Sequence, residues 1–206
     1  MRELADNLER VRERIAAAAR RVGREPESVT LIAVTKTHPI EVIREAVALG
    51  VADLGENRVE EAIPKIAAMG KEGVPRWHMI GHIQSRKARE VAAHFDTAHS
   101  VDSAQLAERL SRFAAGSGKC LPIFVECNVT GEASKNGLPA DRFADDRTQA
   151  DALTGDIEKM LALPGVRLRG LMAMAPVGDA PEEARPVFRQ LRRLRDFLAA
   201  RLPHAD

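Results

Sequence analysis

Tyrosine is absent from this chain, and one tryptophan with six phenylalanines leaves aromatic residues at only 3% of the sequence. No tyrosine hydroxyl is therefore available as a proton donor, and the ring platforms on which nucleic-acid bases stack are scarce. Cysteine occurs twice, as Cys120 and Cys127 on one apolar stretch. Their odd separation sets them on opposite faces of a strand, so they cannot bridge each other, and both are expected as reduced, buried thiols. Charge of one sign is lacking too. The 31 basic and 30 acidic residues leave a net charge of +1, which provides no global field toward nucleic acid or a membrane. No apolar run approaches the roughly 18 residues of a membrane span. Met1-Arg2-Glu3-Leu4 leads straight into an amphipathic pattern rather than a signal peptide. These absences point to a cytoplasmic protein without nucleic-acid or membrane partners.

What is present is a regular alternation. The 206 residues suit a single domain spanning residues 1–206. Leu4, Leu8, Val11, Ile15, Ala19 and Val22 recur at helical spacing and predict one helix that ends at Gly23. Strands are then predicted near 29–35, 51–54, 76–80, 96–100, 121–129 and 166–173, separated by helix-like segments. This is a βα repeat, and a first strand apolar on both faces fits a buried parallel sheet. The turn after that strand reads Thr35-Lys36-Thr37-His38-Pro39, without the glycines of a dinucleotide fold, which favours a (β/α) barrel over an open doubly wound sheet. Polar residues at strand ends, namely Lys36, Glu56-Asn57, His82, Ser100 and Asn128, would then gather at the barrel mouth. Residues 131–151 read as a long polar loop with a short helical part, suited to a lid.

Lys36 carries the most specific chemistry. It shares strand parity with Thr30, Ile32 and Val34, so its ammonium is expected at the edge of the core, where desolvation turns an amine into a nucleophile for carbonyls. A snorkelling lysine, or an ion pair with Glu56, is the competing reading of the same pattern. His78 and His82 stand four apart on a strand rather than a helix, and no cysteine or carboxylate cluster completes a metal set, so no metal is expected. Asn57 and Asn128 offer amides either to a ligand or to the local turn. The arginines of the last helix, diluted by Glu182, Glu183 and Asp196, read as a solvated face.

Taken together, Ala33-Val34-Thr35-Lys36-Thr37, Gly55-Glu56-Asn57, Trp77 through Gln84, His99 through Ser103, Asn128 through Gly137 and Gly170-Leu171-Met172 resemble the pyridoxal 5′-phosphate (PLP) homeostasis protein family. The order and spacing match along nearly the whole chain. The string Trp77-His78-Met79-Ile80-Gly81-His82-Ile83-Gln84 is distinctive, as is the set Asn128, Glu132, Lys135 and Gly137. The resemblance implies an α/β fold, a (β/α)8 TIM-type barrel like the N-terminal domain of alanine racemase, with an extra N-terminal helix. It implies that Lys36 holds PLP as a Schiff base, that Asn57 and His82 lie at the cofactor pocket, and that Lys135 assists cofactor exchange, and the strand-end amide of Asn128 is expected to bind the cofactor as well. It further implies a PLP carrier in vitamin B6 homeostasis, without established catalysis, whose partners are PLP and PLP-dependent apo-enzymes. A monomer or weak dimer is expected.

The sequence departs from that pattern at Arg58 and His38, where many relatives carry a tyrosine and a second lysine. The family also continues into Ser-Met-Gly-Met and Arg-Ile-Gly segments that supply the last strands and the main phosphate contacts. Neither occurs in these 206 residues, so a barrel lacking its last one or two βα units is expected. Two other functions use the same lysine: an amino-acid racemase, which would need a second proton donor such as tyrosine, and a Schiff-base aldolase or lyase acting on a sugar phosphate.

Overall fold

A computed structural model describes residues 2–70, 75–176 and 181–202. The chain divides into two compact units, Met1–His78 and Met79–Asp206, and each is described by itself.

The first unit opens with helix α1 (Arg2–Arg20), whose apolar stripe buries Leu8 and Ala19. Gly23, at φ 69°, ends it. Arg24 N donates to Ala19 O at 3.0 Å and Gly23 N to Arg20 O at 3.1 Å, the paired bonds of a Schellman stop that L side chains at the glycine position would strain. Arg12 then ties α1 down by donating to the carbonyls of Leu49 and Gly50 at 3.1 and 3.0 Å. Strands β1 (Ala33–Val34) and β2 (Asp53–Glu56) pair in parallel, with helix α2 (Ile40–Ala48) between them. Helix α3 (Val59–Met69) follows, and then β3 (Arg76–Met79), which crosses into the second unit.

Between β2 and β3 the buried Asp53 accepts two bonds from Arg76, at 2.6 and 2.7 Å, and lies 2.8 Å from His78 Nε2. The Arg76 hydrogen bond, opposed by burial and aided by His78, holds the Asp53 carboxyl below its ordinary value.

The first strand is much shorter than the pattern of residues 29–35 predicts. Pro26–Ser28 form a 3-10 turn, and the ladder to β2 pairs only Ala33 with Leu54 and Val34 with Gly55. Val29 and Val34 remain 36% and 47% exposed, so this strand is not the doubly covered one that its apolar sequence suggests.

In the second unit helix α4 (Ala88–His94) leads to β4 (Thr97–Val101), helix α5 (Ala104–Ala115) and β5 (Leu121–Asn128). After β6 (Leu138–Pro139) come helix α6 (Arg147–Leu161), β7 (Val166–Met172) and helix α7 (Arg185–Ala199). β5 is the centre: it pairs in parallel with β4, with β7 and, at its end, with β6. Leu121, Ile123, Val125, Glu126 and Cys127 are all buried along it, as a strand covered on both faces requires. Leu106 and Leu110 from α5, Ile157 and Met160 from α6 and Leu194 from α7 are at most 1% exposed. Each such side chain contributes about 1.5–3 kcal/mol on leaving water.

Side chains start the two inner helices. Ser103 Oγ accepts from Leu106 N, and the Asp146 carboxylate accepts from Gln149 N at 3.2 Å. The predicted strands of this part fall within a residue or two of β4, β5 and β7. Within the predicted loop, 131–151, the helical part is the first turn of α6 from Arg147, and β6 pins the loop midway, where Leu138 pairs with Cys127. The thiols differ from expectation: Cys127 is buried, but Cys120 lies just before β5 and is exposed.

The chain enters β7 through Gly165, whose N donates to Ser111 Oγ on α5 at 2.9 Å. A Cβ at Gly165 would lie 2.0 Å from the Ser111 carbonyl oxygen, so helix and strand approach too closely for any side chain. Gly165→Ala is therefore expected to destabilise the protein by about 3 kcal/mol or to prevent folding. Urea denaturation checks this, and a loss below about 0.5 kcal/mol would contradict the close approach.

Candidate functional site

The five residues singled out from sequence divide between the units. Lys36 and Asn57 belong to the first, and His82, Asn128 and Lys135 to the second.

Lys36 sits in a turn directly after β1. Thr35 N donates to Gly55 O at 2.9 Å, which extends the ladder by one residue, and His38 N donates back to Thr35 O at 3.1 Å. Within this turn Thr37 has φ 66°, the only left-handed non-glycine residue among those described. A β-branched residue rarely adopts that conformation and costs roughly 1–2 kcal/mol there, so the surroundings must hold it. Close by, Glu56 is completely buried at the end of β2. Its Oε1 accepts from Thr35 Oγ1 at 2.6 Å and from Lys65 Nζ at 2.7 Å, while Lys65 Nζ also donates to Thr35 O at 2.9 Å.

Lys65, on α3, thus takes the place beside Glu56 that the sequence left open for Lys36. Among the described residues Lys36 has no hydrogen-bond or ion-pair partner. Thr35 is buried, whereas Val34 and Lys36 are exposed, and β1 ends at Val34. The expected place of the ammonium at the edge of the core is not met, because Lys36 is exposed in the turn beyond the strand. A primary amine without an internal partner, on a peptide fixed from behind, fits the aldehyde of a Schiff-base cofactor. Asn57 is half-buried and precedes Arg58, the capping position of α3, so its amide does not serve as that helix cap. Lys36 and Asn57 each stand two residues beyond the paired Val34 and Gly55.

In the second unit His82 Nδ1 lies 3.3 Å from Asp102 Oδ2, which favours the proton on that nitrogen. Glu126 is buried on β5, and burial raises its carboxyl above the ordinary value, helped by the charge of Asp102 and partly offset by His82. Asn128, at the end of β5, spends its side chain on the following loop. Its Oδ1 accepts from Gly131 N at 3.0 Å and from Thr130 Oγ1 at 3.2 Å, and its Nδ2 donates to Glu132 O at 2.9 Å. Lys135 N donates to Glu132 O at 3.0 Å, so the loop that carries this lysine is built on Asn128.

Gly137, at φ 108°, completes the loop. A Cβ there would meet Glu126 O at 2.7 Å. Glu126, Asn128 and Lys135 line one small cleft. The second unit therefore brings Asn128 and Lys135 together and places His82 beside Asp102 and in the field of Glu126.

Sequence reasoning missed Lys65 and Glu126. Both carried a signal, a charge set within an apolar run: Ile63-Pro64-Lys65-Ile66 and Phe124-Val125-Glu126-Cys127. His78 pairs with Asp53.

Glu126 gives a pH prediction. Its folded carboxyl binds a proton more tightly than the unfolded one, so ionising it costs stability as pH climbs from the ordinary value of 4.5 through the raised folded value. Glu126→Gln should therefore match the parent below pH 4.5 and melt at a higher temperature at neutral pH. A melting difference that stayed constant across that range would refute it.

Three comparisons bear on these groups. The family model described as alanine racemase, N-terminal domain, matches residues 7–205. The pyridoxal phosphate homeostasis protein of Escherichia coli is 38% identical, over 100% of this chain and 85% of its own length. That of Pseudomonas aeruginosa is 40% identical over 94% of this chain and 80% of its own length. The structure of PipY from Synechococcus elongatus with PLP bound superposes with a TM-score of 0.72 at 39% identity, covering 94% of this chain and 84% of PipY. Alanine racemase from Clostridium difficile shares the fold at a TM-score of 0.64 and 15% identity, over 86% of this chain and 43% of that protein.

Proposed function

Since this chain belongs to the alanine racemase N-terminal domain family, and within it to the pyridoxal phosphate homeostasis proteins, we propose that it binds PLP as a Schiff base on Lys36 and serves intracellular PLP supply. The observation that carries the reading is the exposed Lys36 amine, without a hydrogen-bond or ion-pair partner among the described residues, in a chain that is 39% identical to a protein solved with PLP bound. PLP supplies an aldehyde that condenses with a primary amine, and Lys36 supplies the amine.

The remaining assignments belong to the same proposal. Asn57 presents an amide next to the Lys36 turn. His82, oriented by Asp102 on Nδ1, keeps Nε2 for a ligand. Asn128 shapes the loop, and Lys135 on that loop assists release and exchange of the cofactor. Carriage rather than catalysis fits the absence of tyrosine and the names of the relatives. The partners are then PLP-dependent apo-enzymes that receive the cofactor, and the cytoplasm is the place of action. No helix among the described residues is long and apolar enough to cross a membrane.

Titration of the purified chain with PLP should produce a visible Schiff-base absorbance that Lys36→Ala abolishes. Borohydride should then fix pyridoxyl on the Lys36 peptide. An absorbance that survives Lys36→Ala, or label found only on other lysines, would overturn the assignment.

A further inference from the structure

We propose that Glu56 and Lys65 are positioning residues for Lys36, a role that rests on the Schiff-base reading above but is carried by its own geometry. Glu56 is 0% exposed and the Lys65 side chain only 14%. A buried ion pair far from any reacting group adds little net stability, because desolvation of both charges offsets their attraction. This one is aimed at a single peptide.

Lys65 Nζ bridges Glu56 Oε1 and the Thr35 carbonyl, and Thr35 Oγ1 returns to the same Glu56 oxygen, so three bonds of 2.6 to 2.9 Å close around the residue just before Lys36. The Thr35 carbonyl is also the acceptor of the turn bond from His38 N. The pair thereby fixes the turn, holds Thr37 in its left-handed conformation and sets the direction in which the Lys36 side chain leaves the backbone. Neither charged group makes a hydrogen bond or ion pair with Lys36, whose amine has no such partner among the described residues. Glu56 Oε2 has no hydrogen-bond partner although it is buried, so the carboxylate is held through one oxygen only and depends on Lys65 for its charge compensation.

The test uses the full chain with two variants. Lys65→Met removes the bonds to both Glu56 and Thr35, and Glu56→Gln keeps an acceptor oxygen but removes the charge. Hydrogen exchange is measured without PLP, and PLP affinity is measured by Schiff-base absorbance on the folded fraction.

In Lys65→Met the His38 amide should exchange faster while the amides of β2 keep their protection, and PLP binding should weaken by about tenfold, the scale expected from a small misplacement of a reacting group. Glu56→Gln should show the same two effects, smaller. Native affinity and native His38 exchange in both variants would overturn the proposal. So would an affinity loss that only follows the fraction unfolded, since that is what a purely structural pair would give. If the parent chain forms no Schiff base on Lys36, the proposed function falls by itself, and the His38 exchange still decides whether the pair holds the turn.

Discussion

A carboxylate with no exposure to water, Glu56, sets the terms for the first unit. An ionised carboxylate cannot stay buried without compensation, so something must bring a positive charge and a donor to the end of β2. Lys65 provides the charge from α3 and Thr35 the hydroxyl from the end of β1. Two strand ends and a helix are thereby fastened at one oxygen atom. Asp53, at the other end of β2, repeats the arrangement with Arg76 and His78. A short strand of four residues is thus closed at both ends by charge compensation, and the exposed turn with Lys36 borrows its order from what lies beneath it.

The second unit solves a different problem. β5 is covered on both faces and shares ladders with β4, β6 and β7, so its polar residues are concentrated at its C-terminal end. There Glu126 stays buried with a carboxyl that favours its proton, and Asn128 converts the strand end into a loop by meeting backbone donors and an acceptor with one side chain. The glycines of the loop follow from contact distances. Gly131 and Gly137 both have positive φ, and a Cβ at either would meet Asp141 or the Glu126 carbonyl below 3.0 Å.

Periodicity made the order of elements legible, because six predicted strands and the opening helix depend on local spacing of apolar residues. It misjudged β1, where the apolar run Val29 to Val34 suggested coverage on both faces. Coverage is a property of neighbouring elements, not of the run itself. The motifs around Lys36 and Asn128 were legible as chemistry, whereas the exposure of Lys36 was not, because the strand that sets its parity ends at Val34. The role of Asn128 as a loop organiser was one of two open readings, since an amide reads the same whether it meets a ligand or the backbone. The Glu56–Lys65 pair was hidden because nine positions separate its members and only the reversal from β2 into α3 joins them.

The two thiols lie at opposite ends of β5 and in opposite states. Cys120 is exposed ahead of the strand, whereas Cys127 is buried near its end, where burial and the neighbouring Glu126 push the thiol up to about 12. Only the thiolate reacts with alkylating reagents, so Cys127 is silent while the ladder is closed. The protein consequently carries an internal clock on its central strand: Cys120 takes a probe at once, and modification of Cys127 counts the openings of β5.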